Sequence, residues 1–466
     1  MRIQYAVTVI PILAKGTIMT TGALTAQPAE PVASPATSAD LMSRTGRVEA
    51  LIATKQYLEA KPLLQELIEQ RPQDSQIRHL LGKVCFELNE TPSAIRHFEQ
   101  AIALNPNDAD SHYWIGAIKQ RMGYIDAAEV AYHAAARIRP LIRRRAIKTP
   151  PDFRVLALYA PFSGDTPTEY LFRDASYDIE TLAFFGPREP ELSLLGDFDV
   201  VVNLISDADR AEAMLPVAAC LAEKLGKPVV NDPGKILRTT RNAVAELLSG
   251  IAACRIPRIL RVDAGTEISP AALSALMPFA FPVVARPAGT HGGDDFKRIE
   301  NLDELACFLA QRLDADHYVI EYVDYASSDD HFRKHRFIFV GEDILPYHLA
   351  IGNDWKVHHM STDMANHPWM QREEAAFLSD PAMVFNAAHH RALRTIRERI
   401  GLDYFGIDCG LDPDGNLVVF EVNASMLVHD DNADFRYKDP FVRVIKAAFG
   451  AMLRTRASGN DAARSP

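Results

Sequence analysis

The stretch Phe405-Gly-Ile-Asp-Cys-Gly410, followed by Leu417-Val-Val-Phe-Glu-Val-Asn423, has the alternation of two adjacent antiparallel strands, joined by Asp412-Pro-Asp-Gly415. That linker has the residues of a tight hairpin turn. Period-two alternation puts Glu421 and Asn423 on one face of their strand, and the hairpin folds Asp408 back toward them. An acid beside a hairpin is usually a solvated turn residue. A carboxylate and an amide inside an apolar strand are different, because burying them is costly unless they are paired or ligated. Mg²⁺ takes oxygen ligands, uses one or two protein carboxylates and keeps positions for phosphate oxygens. Asp408, Glu421 and Asn423 therefore predict a site for a metal-bound nucleotide rather than for a stand-alone metal, with Mn²⁺ as the alternative ion.

Working outward, the strand Phe281-Pro-Val-Val-Ala-Arg-Pro287 runs into Ala288-Gly-Thr-His-Gly-Gly-Asp294. Glycines after a strand let backbone amides approach phosphates, and a cation at the strand end neutralises them. Gly289, Gly292, Gly293 and Arg286 are the candidates. Such loops are common, so this signal alone is weak. Before it, the apolar runs Val155–Tyr159, Phe198–Asn203 and Pro228–Asn231 alternate with helical stretches, which predicts an α/β layer with a mostly parallel sheet. Loops at the carboxyl ends of such strands carry ligands, so Pro161–Asp165, Asn203 and Asn231–Pro233 are candidate substrate contacts.

Further toward the N-terminus the chain repeats itself. Pro72, Pro106 and Pro140 are 34 residues apart, as are Ala60, Ala94 and Ala128, and Gly82 and Gly116; Leu64, Phe98 and Tyr132 keep the same register. Small residues where paired helices approach, a large apolar residue four places later and a closing proline form the tetratricopeptide signature. About three such repeats predict a short curved array. Capture of a peptide or protein partner, homodimerisation and bracing of the following domain all remain open for it.

The 466 residues exceed one ordinary domain. A net charge of -11 argues against nucleic acid or an anionic membrane as the main partner, and no later stretch has the length of an apolar span. The basic run Arg143–Arg145 is short enough to be a solvated linker. Five scattered cysteines, Cys85, Cys220, Cys254, Cys307 and Cys409, fit a reducing compartment and no zinc or disulfide framework. Tyr5–Ala14 weakly imitates a secretory leader but is broken by Pro11; a dispensable leader and a cytoplasmic protein are expected, since the nucleotide supply is cytosolic.

The aspartate followed thirteen residues later by Glu-Val-Asn resembles the metal-binding end of ATP-grasp enzymes, among them glutathione synthetase, D-alanyl-D-alanine ligase and the ribosomal-protein glutamate ligases. The resemblance runs from near Pro150 to about Gly450. It implies ATP and Mg²⁺ as cofactors and a ligase joining a carboxylate to an amine through an acyl phosphate, acting on small-molecule or peptide substrates. Arg286 and Arg241 stand where the family places two basic residues on the phosphates; both are arginine here, which keeps charge and changes geometry. Glu321, Tyr322 and Val323 look like the adenine hinge. Arg336 resembles the arginine that steadies the charge at acyl-phosphate attack in the glutamate ligases. Lys356, with His358 and His359, lies in the segment that closes over substrate. Gly406 stands where the D-alanine ligases carry an arginine, which tilts the likeness toward the glutamate-ligase and glutathione-synthetase branches. A nucleotide-sensing scaffold or a phosphotransferase would be the alternative functions. The expected domains are a leader or linker over 1–40, tetratricopeptide repeats over 41–148, an α/β domain over 149–235, an ATP-grasp module over 236–455 and a disordered tail over 456–466.

Overall fold

The computed structural model describes residues 38–161, 163–183, 192, 195–290, 296–357 and 362–459. Residues 1–37, Gly292, Gly293, His358, His359 and the tail from 460 lie outside the described residues. The first helix begins at Ser38, and the last runs over Asp439–Ala457. The chain divides into two units, Met1–Arg143 and Arg144–Pro466.

The first unit holds α1 (Ser38–Ala53), α2 (Tyr57–Gln70), α3 (Ser75–Glu87), α4 (Thr91–Leu104), α5 (Ala109–Arg121) and α6 (Ile125–Ile138). The 34-residue period has a direct packing cause. A Cβ on Gly82 would lie 2.8 Å from the Phe98 ring, and one on Gly116 would lie 2.8 Å from the Tyr132 ring. Each glycine admits the aromatic ring of the paired helix, so α3 meets α4 and α5 meets α6 in the same way. Ala60, Ala94 and Ala128 are fully buried. After the prolines, Asp74 accepts from the backbone of Gln76 and Ile77, and Asp108 from that of Ser111, capping successive repeats.

Strand β1 (Leu141–Arg144) lies at the boundary of the two units. The second unit contains β2 (Arg154–Tyr159), β3 (Asp178–Ala183), β4 (Val200–Asn203) and β5 (Val229–Val230), all parallel in the order β3-β2-β4-β5. Every residue of β4 is buried, as expected of strands covered on both faces. The strands β6 (Cys254–Arg255), β7 (Ile259–Val262), β8 (Val283–Pro287), β9 (Lys297–Ile299) and β10 (His317–Glu321) come next in the chain. Of these, four build an antiparallel sheet in the order β7-β10-β8-β9. The remaining strands are β11 (Phe332–Val340), β12 (Asp343–Gly352), β13 (Tyr404–Leu411) and β14 (Leu417–Asn423), and the third sheet runs β12-β11-β13-β14-β6. One apolar core joins the first and third sheets: Val155, Val200, Ile338 and Tyr404 pack with Ile445 and Phe449 of the last helix. The antiparallel sheet has its own core with Leu273, Leu305 and Phe308 from two covering helices. The expected fold class, helical repeats followed by an α/β domain of mixed sheets, is the one observed.

Gly116→Ala drives a methyl group into the Tyr132 ring, so we expect a loss of about 1–3 kcal/mol from overpacking. A chemical denaturation curve for the repeat transition checks this; an unchanged midpoint would remove the glycine–aromatic contact as the cause of the repeat spacing.

Candidate functional site

The third sheet carries a row of charged side chains. In cross-strand register, His348 of β12 lies opposite Arg336 of β11, Arg336 opposite Asp408 of β13, and Asp408 opposite Glu421 of β14. Directly opposed residues of an antiparallel pair share a face. Both register shifts of the sheet fall beside this row, between Arg336 and Phe337 and between Asp408 and Cys409, where bulges re-aim side chains. Arg336 grips Asp408 with two hydrogen bonds, Nε to Oδ1 at 2.6 Å and a terminal nitrogen to Oδ2 at 2.9 Å. Lys334, two residues earlier on the same face, adds an ion pair to Asp408 at 3.1 Å. Burial would raise the Asp408 pKa, but Arg336 and Lys334 outweigh it and hold the carboxyl well below the usual range. Removing one partner of such a buried pair costs on the order of 3–5 kcal/mol.

Both ends of the row are also charge-paired. Arg241, opening the helix Arg241–Leu247, donates to Glu421 at 2.7 Å. At the other end His348 Nδ1 lies 2.5 Å from Oε1 of the fully buried Glu374, which also accepts from Lys438 at 3.1 Å and from Tyr437 OH at 2.6 Å. Burial would raise the Glu374 pKa, yet these partners bring it to about 2. Lys438 reaches His348 Nδ1 at 2.9 Å, and burial with this cation beside it pushes His348 down to about 4.

The antiparallel sheet supplies a second row, Arg261–Tyr318–Arg286, in direct cross-strand register. Arg286 is buried, donates from Nε to Thr290 Oγ1 at 3.1 Å and to the Thr290 carbonyl, and lies 5.4 Å from the Phe296 ring centroid. Phe296 and Tyr322 flank Trp355 at 5.5 and 6.0 Å, Arg298 stacks 4.4 Å over Tyr322, and Lys356 Nζ donates to the Phe296 carbonyl at 3.2 Å. The segment after β12 is thereby folded onto the loop after β8. This cluster of rings with cations on their faces is chemically suited to a flat aromatic base attached to phosphates.

Asp408, Glu421 and Arg336 converge as neighbours in one row, with Arg241 on Glu421. Asn423 lies two residues beyond Glu421, opposite Gly406, and its Oδ1 accepts from the Ser425 backbone at 2.6 Å. Among the described residues no group of three or more His, Cys, Asp or Glu could hold a metal; the donor set is two carboxylates with an amide. Gly289 has φ +66°, the left-handed conformation that favours glycine. At the hinge, the Glu321 side chain is taken by Arg258 and Arg255, and its N–H by the Arg258 carbonyl at 2.9 Å. Tyr322 and Val323 follow the end of β10.

Two expected substrate contacts are corrected. Asn203 donates to the carbonyls of Ile205 and Asn231 at 2.9 and 3.0 Å, and Asn231 donates to the Tyr404 carbonyl at 2.7 Å while accepting from the backbone of Asp403 and Tyr404. Asn203 ties the ends of β4 and β5 together within the first sheet, and Asn231 stitches that sheet to the third. Asp232 caps the short helix after it. Sequence reasoning missed Lys334, although its i−2 spacing from Arg336 was visible, and missed Glu374, Lys438, Phe296 and Trp355, which only the fold brings to the site. Gly406 is explained by packing, since a Cβ there would meet Met426 at 2.6 Å.

A family model described as a TPR repeat matches residues 82–123. None of the curated proteins matches the chain. Among solved structures, the chain is similar to a D-alanine–D-alanine ligase from Bacillus anthracis complexed with ATP, at 14% identity over 65% of this chain and 98% of that one, with a TM-score of 0.40. A RimK domain ATP-grasp protein from Sphaerobacter thermophilus matches at 19% identity over 66% and 100%, with a TM-score of 0.38. The repeats are similar to MamA, at 25% identity over 22% and 59%, with a TM-score of 0.21. At such scores these likenesses carry no argument about activity. No helix among the described residues is long and apolar enough to cross a membrane.

On the opposite face of β11, His335 is buried against Phe377 and Phe385 at 4.8 and 4.9 Å, and among the described residues neither ring nitrogen has a hydrogen-bond partner. Burial, with the Arg333 charge nearby, pushes it down to about 3. Folding therefore favours the neutral ring. Its contribution is complete above the unfolded pKa near 6.5 and is lost as pH falls toward 3, at about 1.4 kcal/mol per pH unit. His335→Leu should flatten the stability profile between pH 6 and 4.5 by that slope in denaturant titrations. An identical slope in the variant would contradict the assignment.

Proposed function

We propose that the protein is an ATP-dependent ligase that joins a carboxylate to an amine through an acyl phosphate. The observation that carries this reading is the His348–Arg336–Asp408–Glu421 row, flanked by Lys334 and Arg241. Two carboxylates opposed across a strand pair are hard oxygen donors, and the cations beside them suit the phosphates that such a metal would carry. Asp408, Glu421 and the Asn423 amide oxygen would hold Mg²⁺, which when bound neutralises the nucleotide phosphates. Arg286 and the backbone around Gly289 would orient the polyphosphate, while Tyr322 and Trp355 would flank adenine beside the Glu321 carbonyl and Val323. Arg336 holds the metal-binding carboxylate in place and keeps permanent positive charge where the acyl phosphate is attacked. No side chain is required as a covalent nucleophile; the chain's contribution is positioning and electrostatics.

The helical repeats would recruit a peptide substrate or a protein partner. Removing residues 38–140 should then raise the apparent KM with little change in kcat, since binding energy remote from the reacting groups is lost. Equal kinetics for the shortened and whole chains would assign the repeats to scaffolding.

A screen of acids and amines monitoring ADP tests the chemistry: release should require both a carboxylate and an amine. Glu421→Gln should lower turnover by about a hundredfold or more, as loss of a charge-stabilising group does, with unchanged far-ultraviolet circular dichroism. ADP release supported equally by a hydroxyl acceptor alone would favour phosphotransfer, and a fully active Glu421→Gln enzyme would remove the metal assignment.

A further inference from the structure

The loop after β4 bears Asp209 and Arg210, which belong to the first sheet but act on the second. Asp209 Oδ1 accepts from Tyr318 OH at 2.6 Å and from Arg261 at 3.1 Å. It sits over two members of the Arg261–Tyr318–Arg286 row, on the face that carries Arg286. Arg241 adds its charge to the same corner, interacting with Asp209 and Tyr318 as well as with Glu421. The next residue, Arg210, is exposed, and its stem lies along the loop after β8: a Cβ on Gly289 would be 2.9 Å from Arg210 Cγ and 3.6 Å from Cδ. Gly289 is thus bare on the side where Arg210 arrives. The backbone of the Asp207–Arg210 turn is held by the Asp207 carboxylate, which accepts from Asp209 N and Arg210 N.

We infer that Arg210 is a third phosphate-directed cation, brought by the Asp209 latch to the glycine loop that Arg286 flanks, and that it binds the terminal phosphates of the nucleotide. This rests on the reading of the loop after β8 as a phosphate loop. A guanidinium offers a fork for two phosphate oxygens, and its arrival from another sheet means that the polyphosphate is gripped only while Asp209 engages Tyr318 and Arg261. Asp209 and Tyr318 are positioning residues in this scheme. Arg210 also faces the charge of the buried Asp165, so a purely structural role as that carboxyl's partner is the competing assignment.

Calorimetric titration of the full chain with AMP, ADP and ATP in Mg²⁺ separates the two. Arg210→Ala should weaken ADP and ATP by about tenfold or more, the scale of one hydrogen bond to a charged group, and leave AMP unchanged. Arg210→Lys should recover part of that loss. Tyr318→Phe, which keeps the ring and removes the hydroxyl from Asp209, should show a smaller loss with the same dependence on phosphate number. Equal weakening of all three nucleotides, or unaltered affinities in Arg210→Ala, would overturn the inference while leaving ATP binding intact. Absence of nucleotide binding by the unaltered protein would overturn the phosphate loop itself and this inference with it.

Discussion

The fork of Arg336 on Asp408 is the contact on which the site depends. It crosses from β11 to β13 in the centre of the third sheet, with Asp408 almost fully buried. A carboxylate in that position is sustained by the arginine and by Lys334, and it stays ionised because of them. The adjoining members of the row are held in the same manner, Glu421 by Arg241 and His348 by Glu374 and Lys438. Each carboxylate of the row is matched by a cation, Asp408 by Arg336 and Lys334 and Glu421 by Arg241, so each is fixed by its partner. That rigidity is what a site acting by electrostatics needs, because donors and charges placed beforehand need not reorganise during the reaction.

Arg241 is where the three sheets meet electrostatically. It pairs with Glu421 of the third sheet and interacts with Tyr318 of the second and Asp209 beyond the first. Burial opposes its charge, and Glu421 outweighs burial, so its pKa rises. The carboxyl ends of β2 and β4 are tied in by Thr166, which donates to the Ala424 carbonyl at 2.9 Å, and by Ser206, 2.6 Å from the Ser425 hydroxyl. The turn after Asn423 is therefore set by the first sheet, and the acids before it by the third. A substrate held at that turn would lie within reach of both.

Much of this architecture was legible in the chain. The 34-residue spacing of Gly82 with Gly116 and of Phe98 with Tyr132 reported real helix contacts, because a period imposed by packing leaves a period in sequence. Alternation around Asp408 and Glu421 placed them on neighbouring strands, since a hairpin is a local structure with its turn written in Asp412–Gly415. What escaped notice was nonlocal. Glu374 and Lys438 come from distant elements, and nothing nearby in sequence signals that they meet His348. Asn203 and Asn231 were misread because strand-end asparagines look alike whether they bind a ligand or hold backbone segments together; only their hydrogen bonds decide. The two bulges, which shift register at Arg336 and Asp408 without breaking the strands, also leave no clear trace in an apolar pattern.

The proposed role of the opposed carboxylates and surrounding cations is to hold a metal-bound nucleotide. Its most direct test is a calorimetric titration of the unaltered full chain with ATP, once in Mg²⁺ and once in EDTA. Saturable one-to-one binding is expected in Mg²⁺, weakening strongly when the metal is removed, because Asp408 and Glu421 would then face phosphate without the metal between them. Affinity independent of Mg²⁺, or no heat of binding in either buffer, would contradict it.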